Sequence, residues 1–170
     1  MKKCLAVLFL VGCATLPNPP PKKAAEIPRP LKIVCKNGHG HGVPISRNVI
    51  ITVGHVGQDA IYAEQGKHKL PLLKVAEYIT PGESEKVVVF QVANPVLIYY
   101  EVGRGNPYTV DTPRGNIDWR DYIPVAGDSG CPVLNKHGEV IGLVSGVGQK
   151  FGVGILVVQK PVIISVRKVH

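Results

Sequence analysis

The chain has 170 residues, room for one domain with a substantial core and not for two large ones. It contains 19 Gly and 15 Pro among plentiful Val and Ile, with no long stretch of helical amphipathicity, so it reads as all-β, built from short strands and tight turns. The net charge of +8 comes from scattered Lys and Arg with few aromatics and no nucleic-acid motif. A solvated basic surface, able to favour anionic lipid headgroups, is therefore expected in place of a nucleic-acid groove.

The first segment reads as a signal and not as part of the fold. Met1-Lys2-Lys3 is a short basic head, and Cys4 to Val11 is an apolar run too short to span a bilayer. Leu10-Val11-Gly12-Cys13 then places small residues just before a cysteine. That tetrad resembles the lipobox of bacterial lipoproteins. The resemblance implies a signal peptide over residues 1–12, cleavage before Cys13, and lipid on the Cys13 thiol and the new amino terminus. The protein would then be anchored in the cell envelope facing the periplasm, or secreted if the lipobox is not used. Residues 13–30, with Pro17, Pro19, Pro20, Pro21, Pro28 and Pro30, read as a semi-extended tether that cannot join a sheet. The folded domain is expected over residues 31–170. With Cys4 removed and Cys13 lipidated, Cys35 and Cys131 remain in an oxidising compartment, either paired or as two separately buried thiols.

Apolar alternation bounded by turn residues predicts strands at Leu31 to Cys35, Gly42 to Ile45, Asn48 to Val53, Ala60 to Ala63, Lys69 to Val75, Lys86 to Val92 and Val96 to Val102. A turn-rich stretch from Gly103 to Asp121 follows. Further strands are predicted at Pro132 to Leu134, Glu139 to Ser145, Gly152 to Val158 and Val162 to Val166. The spacing is that of sandwiches and barrels.

Two stretches carry chemistry. Gly127-Asp128-Ser129-Gly130-Cys131, closed by Pro132, flanks a serine with glycines, which lets a backbone present a hydroxyl while turning its own amides inward. Upstream, Ile50-Ile51-Thr52-Val53-Gly54-His55 ends an apolar β-branched run on a histidine, a rigid place to hold a general base. The run Gly38-His39-Gly40-His41-Gly42 lacks a second cluster of Cys or acidic ligands, so it reads as a flexible solvated turn and no metal site is expected.

The segment Gly40-His41-Gly42, Ile45, Ile50-Ile51-Thr52 and His55 resembles the histidine strand of chymotrypsin-like (trypsin-like) serine proteases, and Gly127 to Pro132 resembles their nucleophile loop. Gly138 to Gly146 is similar to the strand on which those enzymes lay out substrate backbone; in the nucleophile loop, Cys131 stands where the family usually has a glycine after Gly130. The resemblance covers roughly residues 38 to 158 and implies two six-stranded antiparallel β-barrels, about 31–102 and 107–170. It also implies a serine endopeptidase without a cofactor, acting on a protein or peptide.

In that scheme Ser129 attacks the scissile carbonyl, His55 is the base, and the amides of Gly127 and Ser129 form the oxyanion hole. Asp128 points inward and fixes the loop. The third triad member falls ahead of Val87-Val88-Val89-Phe90: strict alignment puts Lys86 there, and Glu85 one residue earlier, which a small bulge would bring to His55. Asp59, Asp111 or a water-assisted dyad are the alternatives. Ile123 falls at the base of the primary pocket and Ser145, Gly146 and Val147 along the substrate strand, which implies a small or apolar residue before the cut. The rival reading is a degenerate protease-fold binding module of the bacterial envelope, favoured by Lys86 at the acid position.

Overall fold

The computed structural model describes residues 27–79, 85–147 and 153–157. The signal segment, Cys13, the tether as far as residue 26 and the strand expected at Val162–Val166 lie outside the described residues. The first half runs β1 (Leu31–Cys35), β2 (Gly38–Ser46), β3 (Val49–Val53), a short helix α1 (Gly54–Gln58), β4 (Ala60–Gln65), β5 (His68–Pro71), β6 (Leu73–Ile79) and β7 (Lys86–Gln91). The second runs β8 (Thr109–Thr112), β9 (Gly115–Asp118), a 3-10 turn (Trp119–Asp121), β10 (Pro132–Leu134), β11 (Val140–Val147) and β12 (Val153–Val157).

The fold is all-β with two antiparallel sheets, as expected. Among the described residues the strands divide seven and five, in the orders β5-β4-β1-β2-β3-β7-β6 and β12-β11-β10-β8-β9, where six and six are expected. The extra strand in the first sheet comes from the run Lys69 to Val75. Pro71 has no N–H to continue a ladder, and the chain breaks at Leu72 into β5 and β6, which occupy opposite ends of the sheet. Two ends joined through one residue mean that the sheet curls round on itself.

β3 and β7, buried on both faces, set the core. Ile50, Ile51, Val53, Val87 and Val88 are buried with Ile33 and Val43, and Leu134, Val140 and Leu143 of the second sheet complete the same cluster. A second cluster, Val110, Tyr122, Cys131, Val133, Ile141 and Val144, lies within the second half. Because β10 and β11 serve both clusters, the two halves are packed against each other and not merely joined. A buried side chain of this size stabilises by about 1.5–3 kcal/mol.

The strand expected at Val96–Val102 is instead a strap. Val96 N–H donates to Arg47 O at 2.7 Å, Tyr100 N–H to Pro44 O at 2.9 Å, and Val140 N–H to Glu101 O at 2.8 Å. The bonds alternate partners instead of following one strand, so the segment carries the chain from the first sheet to β11. Conversely, the turn-rich stretch from Gly103 holds the hairpin β8–β9, whose turn uses Gly115 at φ +125°, a conformation that favours glycine. Its strand β8 is masked in the sequence by Asp111, a buried acid. Tyr100 Oη donates to Asp111 at 2.6 Å and Arg29 Nη1 at 2.9 Å. Burial and that carboxylate push the Tyr100 hydroxyl well above its ordinary range, keeping it a donor. The ordered fold thus engages the chain from Arg29, slightly ahead of Leu31.

Candidate active site

His55 stands in α1, directly after β3, where the strand's last buried residue, Val53, gives way to Gly54. Glu85 stands directly before β7, the strand paired with β3 through Val53↔Val87. The pairing therefore brings together two residues far apart in sequence. His55 Nδ1 lies 2.6 Å from Glu85 Oε1, and the His55 backbone N–H donates to the same oxygen at 2.9 Å. An ionised carboxylate only accepts, so the bond places the ring proton on Nδ1 and leaves Nε2 with its lone pair.

The other carboxylate oxygen is also engaged. Ser145 Oγ, on β11 of the second sheet, donates to Glu85 Oε2 at 2.9 Å. Burial draws the Glu85 carboxyl upward, but the backbone and ring of His55 and the Ser145 hydroxyl together outweigh it. The net effect holds the acid below its ordinary range, so it is ionised at neutral pH. Ser145, expected only along the substrate strand, is thus also a partner of the acid. The sequence signal for that role was weak, since a serine on a strand has many uses.

Two of the competing assignments hold other partners. Lys86 Nζ, one residue on, turns to the outer face and pairs with Glu77 at 2.6 Å. Asp111 is occupied by Tyr100 and Arg29. Asp59 closes α1 at its C-terminal end.

The nucleophile loop is held from several sides. Gly130 N–H donates to Val144 O at 2.8 Å and Val144 N–H to Cys131 O at 2.9 Å, which seats the loop on the strand bearing Ser145. Asp128 O accepts from Cys131 N–H at 2.9 Å. The Asp128–Ser129 peptide is thereby oriented: across a trans peptide the Ser129 N–H faces away from that carbonyl. Among the described residues neither the Gly127 nor the Ser129 amide has a backbone acceptor. Gly127 and Gly130 lie at φ +97° and +86°, values that an L side chain resists. Among the described residues the His55 ring is bonded to Glu85, and Ser129 Oγ forms no hydrogen bond to it.

The Gly-His-Gly-His-Gly run corrects the expectation of a flexible solvated turn. It lies within β2, and His41 is buried. His41 donates twice to the loop, from its backbone N–H to Ser129 O at 2.8 Å and from Nδ1 to Gly127 O at 2.7 Å. Burial pushes its imidazole below the ordinary value, the Gly127 carbonyl pulls it back up, and His39 adds to the lowering. The flanking glycines answer to two neighbours: Gly42 leaves room for Ile33 and Ile50 of the core, and Gly40 for Val56 and the loop. A Cβ on Gly40 would press on Val56 and sit 3.1 Å from Ser129 O, and one on Gly130 would collide with the His41 carbonyl. Val56 follows His55, so the histidine helix and the serine backbone meet over one face of β2.

Ile123 is exposed on the loop leading to Ser129, near exposed Val125. Gly146 and Val147 lie in β11 beyond Ser145. Cys35 and Cys131 are free thiols; burial pushes the Cys131 thiol far above its ordinary range and leaves it inert. Among the described residues no group of three His, Cys, Asp or Glu side chains could hold a metal.

No family model matches the chain, and no curated protein does. Among solved structures it is similar to a crystal structure of Rv3671c from M. tuberculosis H37Rv, a serine-to-alanine mutant in an inactive form. The TM-score is 0.50 at 20% identity, covering 79% of this chain and 83% of that one. A crystal structure of Rv3671c protease, inactive form, gives a TM-score of 0.47 at 21% identity, covering 72% and 80%. The first likeness bears on the fold alone, which is all-β and chymotrypsin-like.

Proposed function

We propose that the chain is a serine endopeptidase, with Ser129 as nucleophile, His55 as general base and Glu85 as the acid that orients it. The observation that carries the reading is the Glu85 carboxylate. It is bonded to the Nδ1 and backbone N–H of His55 on one oxygen and to Ser145 on the other, which is how a triad acid fixes a tautomer and stabilises an imidazolium.

In this scheme His55 Nε2 takes the Ser129 proton as Oγ adds to the scissile carbonyl. The tetrahedral oxyanion is met by the amides of Gly127 and Ser129, each worth about 2.7–4 kcal/mol in such sites. His55 then returns the proton to the leaving amine as the C–N bond breaks, leaving an acyl-serine. Water, deprotonated by the same imidazole, adds to the ester; as the C–O bond to Ser129 breaks, the imidazolium returns that proton to Ser129 Oγ and the acid product leaves. Substrate backbone pairs along Ser145–Val147 as an added strand. The exposed apolar surface of Ile123 and Val125 favours a small or apolar residue before the cut. No cofactor takes part.

The binding-module alternative leaned on Lys86 at the acid position. The pairing of Lys86 with Glu77, with Glu85 on His55, supports the endopeptidase reading over it. We further propose that Cys13 carries the lipid anchor and that the domain acts at the cell envelope, facing the periplasm. Purified wild-type protein is expected to fragment an unfolded protein substrate, and Ser129→Ala and His55→Ala are expected not to. Equal fragment patterns from wild type and Ser129→Ala would overturn the reading.

A further inference from the structure

An open cavity of about 550 Å³ is lined from the first half by Arg29, Lys32, His41 and Glu64, and from the second by Arg114 at the β8–β9 turn. His55, Glu85 and Ser129 are not in its wall. Strand register builds one side of it. Lys32 of β1 stands opposite His41 of β2 and Glu64 of β4, and Glu64 stands opposite Lys69 of β5. Opposed residues of paired strands share a face, so this row carries three basic side chains and one acid, with Glu64 at 3.5 Å from Lys32 Nζ. The two arginines are each engaged at one nitrogen. Arg29 Nη1 donates to Asp111 at 2.9 Å, and Arg114 Nη2 to Asp128 at 2.6 Å and Ile123 O at 3.3 Å. A guanidinium has five N–H donors in a planar fork. Among the described residues the remaining donors of both arginines therefore have no acceptor. Asp111 and Asp128 are buried and neither lines the cavity, so its opening meets the guanidiniums and not the acids that they neutralise.

We propose that this cavity binds a phosphate group carried on a small polar body. Phosphate oxygens match the paired donors of a guanidinium fork, and two such forks with the Lys32 ammonium supply the charge-assisted bonds that a phosphate requires. Inorganic phosphate alone would leave most of the space empty, whereas about 550 Å³ falls within the roughly 300–1,000 Å³ of small-molecule sites. His41 suits a body that carries a hydroxyl. Its Nδ1 donates to Gly127 O, so in the neutral ring Nε2 is an acceptor. The net charge of +8 draws anions toward the surface. Two sources offer this chemistry: a soluble phosphate ester, and the headgroup of an anionic lipid. The second is available because Arg29 and Pro30 are where the chain enters β1 from the proposed tether. The site does not depend on the role of Ser129.

The test uses the full chain carrying Cys13→Ala, so that no acyl chain contributes. Glycerol 3-phosphate is the soluble probe, titrated in a calorimeter against sodium chloride of equal ionic strength. Saturable binding in the millimolar range or tighter is expected, with a raised melting temperature. Lys32→Gln and Arg29→Lys should each weaken it about tenfold, the loss of one charge-assisted hydrogen bond. Arg29→Lys keeps a cation on Asp111, and so keeps the fold, while losing the planar fork. The control Arg120→Met, which removes an exposed charge beside Asp118, should bind as the parent does. Vesicles of phosphatidylglycerol, compared with phosphatidylcholine, separate the two sources. Adsorption that glycerol 3-phosphate competes away and Lys32→Gln weakens assigns the lipid headgroup; adsorption indifferent to both, or none, assigns a soluble ester. No saturable binding of glycerol 3-phosphate by the folded parent, or binding that Arg120→Met weakens as much as Lys32→Gln and Arg29→Lys do, would overturn the site.

Discussion

Glu85 spends both carboxylate oxygens on the site, and its position could be read only partly in advance. The strand after it is plain in the sequence, since Val87 to Val89 is a β-branched run closed by Phe90, but which residue ahead of that strand reaches the imidazole depends on one step of register. Lys86 and Glu85 differ by one place, and a strand turns successive side chains to opposite faces. The lysine went outward to Glu77 and the glutamate inward to His55. Glu85→Gln is predicted to lower turnover by about 10⁴, as loss of the acid does in the Ser-His-Asp template, with little change in KM. Steady-state kinetics on a chromogenic peptide would check this. The same acid also gives a pH dependence. Its folded value is lowered, so its stabilisation is complete above the unfolded value of about 4.3 and is lost as pH falls through the lower folded value. Thermal melts taken down through about pH 4 should show a steeper loss for wild type than for Glu85→Gln.

At the scale of elements, β2 and the nucleophile loop act together. The Gly-His-Gly-His-Gly run looked like a turn because glycine is rare in strand interiors. The reasons for two of them lie out of sight: a Cβ on Gly40 would press on Val56 and approach Ser129 O of a loop far downstream, and one on Gly42 would press on Ile33 and Ile50 of the core. His41→Ala leaves the half-buried Gly127 carbonyl without its donor, which should cost about 1 kcal/mol, and should slow labelling of Ser129 as well as lower the melting temperature. Gly130→Ala combines a positive φ with a backbone collision. It should abolish labelling and cost more than about 4 kcal/mol, measured by denaturant unfolding. The hairpin β8–β9 was missed for the opposite reason. A buried Asp111 breaks the apolar alternation, and only Tyr100 and Arg29, brought in from elsewhere, make that burial tolerable.

Across the whole molecule, the all-β class and most strands were legible because alternation and turn residues are local signals. The division into seven and five strands was not, since Pro71 stops a ladder without announcing where the next strand will pair. Leu143 belongs to the core shared by both halves. Leu143→Ala should therefore cost about 2–5 kcal/mol and unfold the protein in a single transition, whereas two separable barrels would give two steps in calorimetry. The anchor is tested on the full chain in a bacterial envelope: wild type should partition with membranes and Cys13→Ala should be released.

The most direct measurement is intact-mass analysis of the folded protein after treatment with a fluorophosphonate, followed by peptide mapping. A single adduct on Ser129, lost in Ser129→Ala and greatly slowed in His55→Ala, is the predicted result. Folded wild-type protein that takes up no adduct, or takes it up equally with His55 removed, would contradict an imidazole-activated serine.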